Sequence, residues 1–298
     1  MTDFIISAFY LVFLGQIYVL SYYYPKKFHA RMCYVIETYP ASLYPKLYPQ
    51  FRDKYLPAYA DEAAKKGPRL YKTVNIIILL AGLGILGFGL VSGYRPEGNG
   101  EESLVAFFGM LQMSPVIALE LLSYKQFKMM RQEQEKTRRT ADLHPRRVFD
   151  FISPWIFGLA AFLLVVCVVF ELWINDFALI PGDNGFIMMT TLIGVHVYFV
   201  ALVAWQMYGK KLNPYQASKD RLRGMEVVVK SAVYTSIGIS IFFLSLAVVK
   251  QYNLNYLEPL LMSVYFQALA VFGLGTMFRI FQIEDLDFDV YKEDPPVA

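Results

Sequence analysis

The chain has 298 residues, of which 56% are hydrophobic and 18% charged, and its mean hydropathy of +0.38 leaves no room for a large soluble domain. The net charge of +3 is too small to point to a nucleic-acid partner. Cys33 and Cys167 fall at different expected depths, which argues against a disulfide and for two buried apolar thiols.

Seven runs are long enough to cross a bilayer: Phe4–Tyr23, Thr73–Gly93, Ser103–Tyr124, Ile152–Ile174, Phe186–Tyr208, Ser231–Val249 and Leu257–Phe278. Residues 1–24 form the first. Its leading Met1-Thr2-Asp3 carries no Lys or Arg, and no small-residue cleavage site follows Tyr24, so a retained membrane helix is expected rather than a signal peptide. Residues 25–72 form a basic amphipathic segment. Pro25 is placed to start a new helix, with Phe28, Met32, Val35, Ile36 and Tyr39 on one face, to lie against anionic lipid. Tyr39-Pro40, Tyr44-Pro45 and Tyr48-Pro49 then make an extended strip, expected to pack on the ends of the spans.

A hairpin over 73–124 leads to a basic helical stalk over 125–150, a second hairpin over 151–208, a basic loop over 209–230 broken by Asn213-Pro214, a third hairpin over 231–278 and an acidic tail over 279–298. Lys and Arg gather in the segments after spans one, three and five, while Arg95 and Lys250 are the main cations of the alternate loops. The positive-inside rule therefore predicts an all-α polytopic bundle with its N-terminus out and its C-terminus in. Two repeat patterns fit: three hairpins behind a lone first span, or halves one–three and five–seven about the fourth. Lys72/Tyr94 and Lys230/Tyr252 frame spans two and six with equal spacing, which favours the halves.

Polar groups inside spans are costly and each is a functional candidate. Gln112, His196 and Gln267 lie thirteen, fourteen and twelve residues before Lys125, Lys210 and Arg279. At about 1.5 Å per residue they share one depth, with Gln16 somewhat nearer the inner face. They form either a layer that binds a polar ligand or relays a proton, or a set of interhelical hydrogen bonds. Glu120, near the inner end of span three, is either a gate or a snorkelling pair with Lys125, with His196 as its alternative partner. Gly82, Gly84, Gly89 and Gly93 crowd span two and predict close helix packing or an interface, and Gly273 and Gly275 suggest the same in span seven.

No HExxH, CxxC, GxSxG or phosphate-binding loop occurs, and the last span has no lysine for a retinal Schiff base. The three histidines fall at depths that forbid a shared metal site, so neither metal nor cofactor is expected, and an enzyme is not the favoured reading. The expectation is a polytopic protein of the plasma (cytoplasmic) membrane that handles a small molecule or ion through Gln112, Glu120, His196 and Gln267. Its partners are the lipid bilayer, anionic lipid at the cytoplasmic face, and a second copy or a membrane complex. The alternative is a non-catalytic accessory subunit with a dry core and an apolar lateral groove. A third reading, lipid-surface catalysis, needs Glu120, Asp142, His144 and Asp150 to cluster.

Overall fold

The computed structural model describes residues 2–52, 57–96, 100, 102–133, 147–178, 180–209 and 212–292. Among them the chain is all-helical, with seven helices long and apolar enough to cross a membrane. We label these α1 (Thr2–Ile17, Tyr18–Tyr23 and Tyr24–Thr38 in succession), α2 (Lys66–Ser92), α3 (Glu102–Glu133), α4 (Pro154–Ile174), α5 (Asn184–Tyr208), α6 (Ser218–Gln251) and α7 (Glu258–Leu269, Ala270–Leu274 and Gly275–Ile280).

Pro25 does not open a new helix. It lacks the N–H that would bond back to Ser21, yet α1 runs through it, because the six residues before Tyr24 widen into a π-helical turn. The Tyr24 N–H reaches the carbonyl five residues back, at Val19. A second π-helical turn, Ala270–Leu274, widens α7, and there Gly275 donates to Ala270. The two widened helices are neighbours. A Cβ on Gly275 would lie 2.8 Å from the Tyr24 hydroxyl, so glycine permits that approach.

The amphipathic face expected to lie on lipid faces the rest of the chain instead. Phe28 packs edge-on against Phe278 and Tyr71, and Tyr39 stacks on Phe288 with centroids 4.0 Å apart. Residue pairing here follows from folding back of the chain after α7, which the local sequence does not encode. The Tyr-Pro strip is not extended: its prolines open short turns, a 3-10 turn at Pro45–Leu47 and a helical one at Pro49–Arg52, because each proline suits a first-turn position that needs no N–H. Tyr44 and Tyr48 are buried, and Tyr44 shares a core with Met130, Ile283, Phe288 and Tyr291. The segment after α7 is pinned by three polar contacts. Arg223 pairs with Asp285 at 3.0 Å, Asn213 Nδ2 donates to the Tyr291 hydroxyl at 2.5 Å, and the Asp287 N–H donates to Asp220 at 3.1 Å. The stalk is helical as far as Glu133, and the remainder of that expected element, from 134 onward, lies outside the described residues until 147.

Packing sorts the seven helices into two groups. α7 packs on α1 and α3, and α2 completes that set around Phe9, Phe13, Ile17, Ile78, Val105 and Phe108. α6 packs on α4 and α5 around Val229, Val233, Met207 and Ala160. The α6–α7 contact joins the groups, while α4 and α5 touch each other little. The last helix thus returns to the first three.

Burial raises the Tyr291 phenol to about 12, with the Asn213 hydrogen bond acting the other way. A phenol whose folded pKa exceeds its unfolded value of about 10 adds stability that is complete below pH 10 and lost as pH rises toward 12. In 13C-tyrosine NMR, the resonance that Tyr291→Phe removes should titrate near 12; if that resonance titrates near 10 instead, the tail is undocked.

Candidate functional site

The four polar residues expected to form one layer are divided between the two helix groups. Gln16 of α1 donates its side-chain N–H to Gln112 Oε1 of α3 at 2.8 Å, and Gln112 donates in turn to Ser21 Oγ at 2.8 Å. All three side chains are buried. The π-helical turn carries Ser21, so the widened segment also supplies the acceptor of this chain. Gln267 of α7 donates to the Val12 carbonyl of α1 at 3.0 Å. These amides join α1, α3 and α7. Among the described residues, Gln16 Oε1 and the buried Ser263 hydroxyl find no hydrogen-bond partner, which leaves a cost unmet.

His196 sits in the other group, on α5. Its Nδ1 lies 2.8 Å from the Leu192 carbonyl, which accepts only, so Nδ1 carries the proton. Nε2 then accepts from the Ser240 hydroxyl of α6 at 3.3 Å. The Ser240 carbonyl receives the Cys167 thiol of α4 at 2.9 Å, so one small network ties the three helices. With both ring nitrogens engaged, His196 is not placed as a partner for Glu120. Glu120 lies on the exposed side of α3. Of the other residues of the lipid-surface catalytic reading, Asp142 and His144 lie outside the described residues.

The glycines of α2 have separate roles. A Cβ on Gly82 would come within 2.6 Å of Phe108, and one on Gly89 within 3.3 Å of the Tyr10 hydroxyl, so both lie in close packing within the chain. Gly84 faces open space, and Gly93 ends α2 in the left-handed conformation at φ +65°. Gly89 and Gly93, four residues apart, are therefore one packing residue and one helix terminator. The spacing alone does not distinguish these, because it carries no information on where the helix stops.

His196 is the one expected ligand residue that lines a described cavity of note. That cavity, about 290 Å3, is a cleft between α4 and α5 with α6 as its floor. Phe157, Ala160 and Leu164 form one wall, Phe199, Val203 and Met207 the other, and Val229 and Val233 the floor. His196 and Ser236 stand toward its deep end. Ala161, Val200 and Ala204 line it and are themselves exposed, so the cleft opens sideways between α4 and α5. From His196 to Tyr208 the wall rises about 18 Å along α5. The cleft follows from the weak α4–α5 contact, and its small residues are scattered too widely in sequence to reveal it.

A second cavity of about 530 Å3 lies among the basic ends of the helices and the segment after α7. Arg31, Gln126, Gln206 and Asp220 are polar members of its lining. Two buried carboxylates that sequence reading treats as boundary residues or omits, Glu171 and Glu258, lie at the opposite end. Glu258 stands in the first turn of α7, where a helix dipole favours an acid. Among the described residues, no three His, Cys, Asp or Glu side chains gather as a metal-binding set.

Comparison with protein-family models, with curated proteins and with solved structures finds no match to this chain.

Gln112 bridges Gln16 and Ser21, which sets a sharp test. Gln112→Leu strands two buried polar groups and should cost about 1–3 kcal/mol. Gln16→Leu/Gln112→Leu removes both amides and should cost less than the sum of its single changes in detergent unfolding. Additive costs would show that the two amides do not interact.

Proposed function

We propose that the chain is an integral protein of the plasma membrane, N-terminus out, that holds the apolar chain of a bilayer amphiphile in the cleft between α4 and α5. The observation that carries this reading is a cleft almost wholly apolar along its length, opening sideways from helices long and apolar enough to cross a membrane. A ligand arriving from water would have to cross the bilayer to reach it, whereas a lipid chain would already be there. The insertion and the orientation are supported by the apolar exposed surfaces of the helices and by the basic segments after the odd-numbered spans.

The cleft carries no acid–base pair and suits binding rather than bond chemistry. His196 and Ser236 offer a polar stop at its deep end, where an alcohol or carbonyl of the ligand would meet a break in an apolar wall. In this reading Gln16, Gln112 and Gln267 lock one helix group and leave the other to bind, so of the residues expected to contact ligand only His196 does so. A carrier or a sensor fits this arrangement. The accessory-subunit reading draws on the same lateral cleft and on the locked amides of α1, α3 and α7, and differs in what enters from the side: a partner helix is too wide for a 290 Å3 cleft.

Native mass spectrometry of the gently solubilised protein tests this directly. Wild type should retain an apolar small molecule, and Ala204→Trp, which fills the mouth of the cleft, should lower its retention on the order of tenfold, about 1.4 kcal/mol. A bare wild-type chain, or equal retention in the variant, would remove the cleft from the ligand's path.

A further inference from the structure

A third recess has a different chemistry. It lies between α1 and α2 at their basic ends and encloses about 350 Å3. On α1, Ser21, Tyr22, Pro25, Lys26 and His29 line it, a stripe at helical spacing. On α2, which runs the opposite way, Lys72, Asn75, Ile76 and Leu79 form the facing stripe. Lys26, His29 and Lys72 thus meet at the mouth, while Ile76 and Leu79 continue the recess toward the apolar layer. No lining residue is acidic. Among the described residues, no carboxylate lies within ion-pair distance of Lys26, His29 or Lys72. Lys26 Nζ stands 5.6 Å from the centroid of the Tyr22 ring, which holds the ammonium along the crevice wall.

The deeper polar groups are already engaged inside the protein. Ser21 Oγ accepts from Gln112, and Asn75 Nδ2 donates to the Tyr71 carbonyl at 2.8 Å. The groups left without a counter-charge are the cations at the mouth. Two ammonium groups, Lys26 and Lys72, that line one recess with no acid between them repel one another unless an anion joins them, and the His29 ring beside them carries an N–H that can donate to such an anion. Cations at the headgroup level with an apolar floor below match one kind of molecule, an amphiphile with a negatively charged head. Basic recesses between membrane helices bind anionic lipid heads in this way.

We infer that the α1–α2 recess is a binding site for an anionic glycerophospholipid, whose phosphate is held by Lys26, Lys72 and His29 and whose acyl chain lies along Ile76 and Leu79. The inference rests on the bilayer insertion proposed above but uses neither the helices nor the ligand of the α4–α5 cleft. It also gives the basic end of α1 a specific lipid contact in place of the broad interfacial face that α1 uses to pack against the chain.

The test uses the full chain in nanodiscs of equal phosphatidylglycerol and phosphatidylcholine, followed by native mass spectrometry of the lipids retained. Wild type should come out enriched in phosphatidylglycerol. Lys26→Ala/Lys72→Ala should lower that enrichment roughly thirtyfold, from about fivefold for each lysine near an anionic surface. Lys26→Arg/Lys72→Arg should keep it, and Ala204→Trp, which blocks only the other cleft, should leave it unchanged. A photoactivatable phosphatidylglycerol should label wild-type peptides spanning 21–29 and 72–79, a readout that needs no variant. Unchanged enrichment in the double alanine variant overturns the site, and so does equal retention of phosphatidylcholine. Loss of the enrichment on adding millimolar inorganic phosphate would reassign the cations to a soluble phosphate. A chain that does not enter nanodiscs at all would refute the insertion itself, a failure distinct from these.

Discussion

Polar groups within an apolar layer must be satisfied by the chain itself, and this constraint explains most of the arrangement. Backbone groups meet it by helix formation. Side chains meet it by reaching a neighbouring helix, and those reaches decide which helices are neighbours. Gln16, Gln112 and Ser21 hold α1 to α3, Gln267 holds α7 to α1, and Cys167, His196 and Ser240 join α4, α5 and α6. Each bond is modest, typically about 0.6 kcal/mol in a membrane helix bundle. Their larger effect is on specificity, because the alternative is an unpaired amide among hydrocarbon side chains. The π-helical turns belong to the same accounting. Tyr18–Tyr23 lets α1 pass Pro25 without a break and leaves Ser21 directed at Gln112.

The division into two helix groups has a structural consequence. Where polar groups bind helices tightly, the interior is closed, as around Phe13 and Phe108, whose rings are 5.7 Å apart. Where one helix serves as a common platform, gaps remain. α6 supports both α4 and α5, and those two diverge, which opens the apolar cleft. The cleft and the α1–α2 recess differ in lining: one is apolar along nearly its whole length, the other sets basic groups above a short apolar floor.

Legibility varied with the range of the interaction involved. The seven long apolar helices follow from composition and run length, since a helix that satisfies its own backbone needs no partner to be recognised. The shared depth of Gln112, His196 and Gln267 was likewise calculable from spacing. Their separation was not: depth fixes one coordinate, and whether two helices touch depends on how all seven pack. Pro25 shows the same limit on a smaller scale. Its missing N–H was evident, but whether α1 broke or widened depended on contacts with α3 and α7. The face of Phe28, Val35 and Tyr39 was correctly amphipathic, and its covering was hidden because Phe278 and Phe288 lie some 250 residues further along.

The sequence by itself determined that this chain is built of seven long apolar helices with basic segments after alternate ones, because hydrophobic length and charge are local properties. Only the tertiary structure decided that the buried amides bond to one another, that His196 stands apart beside an apolar cleft, and that Lys26 and Lys72 share one recess. Those outcomes rest on which helix faces meet, and that is settled by packing and polar pairing among residues far apart in the chain.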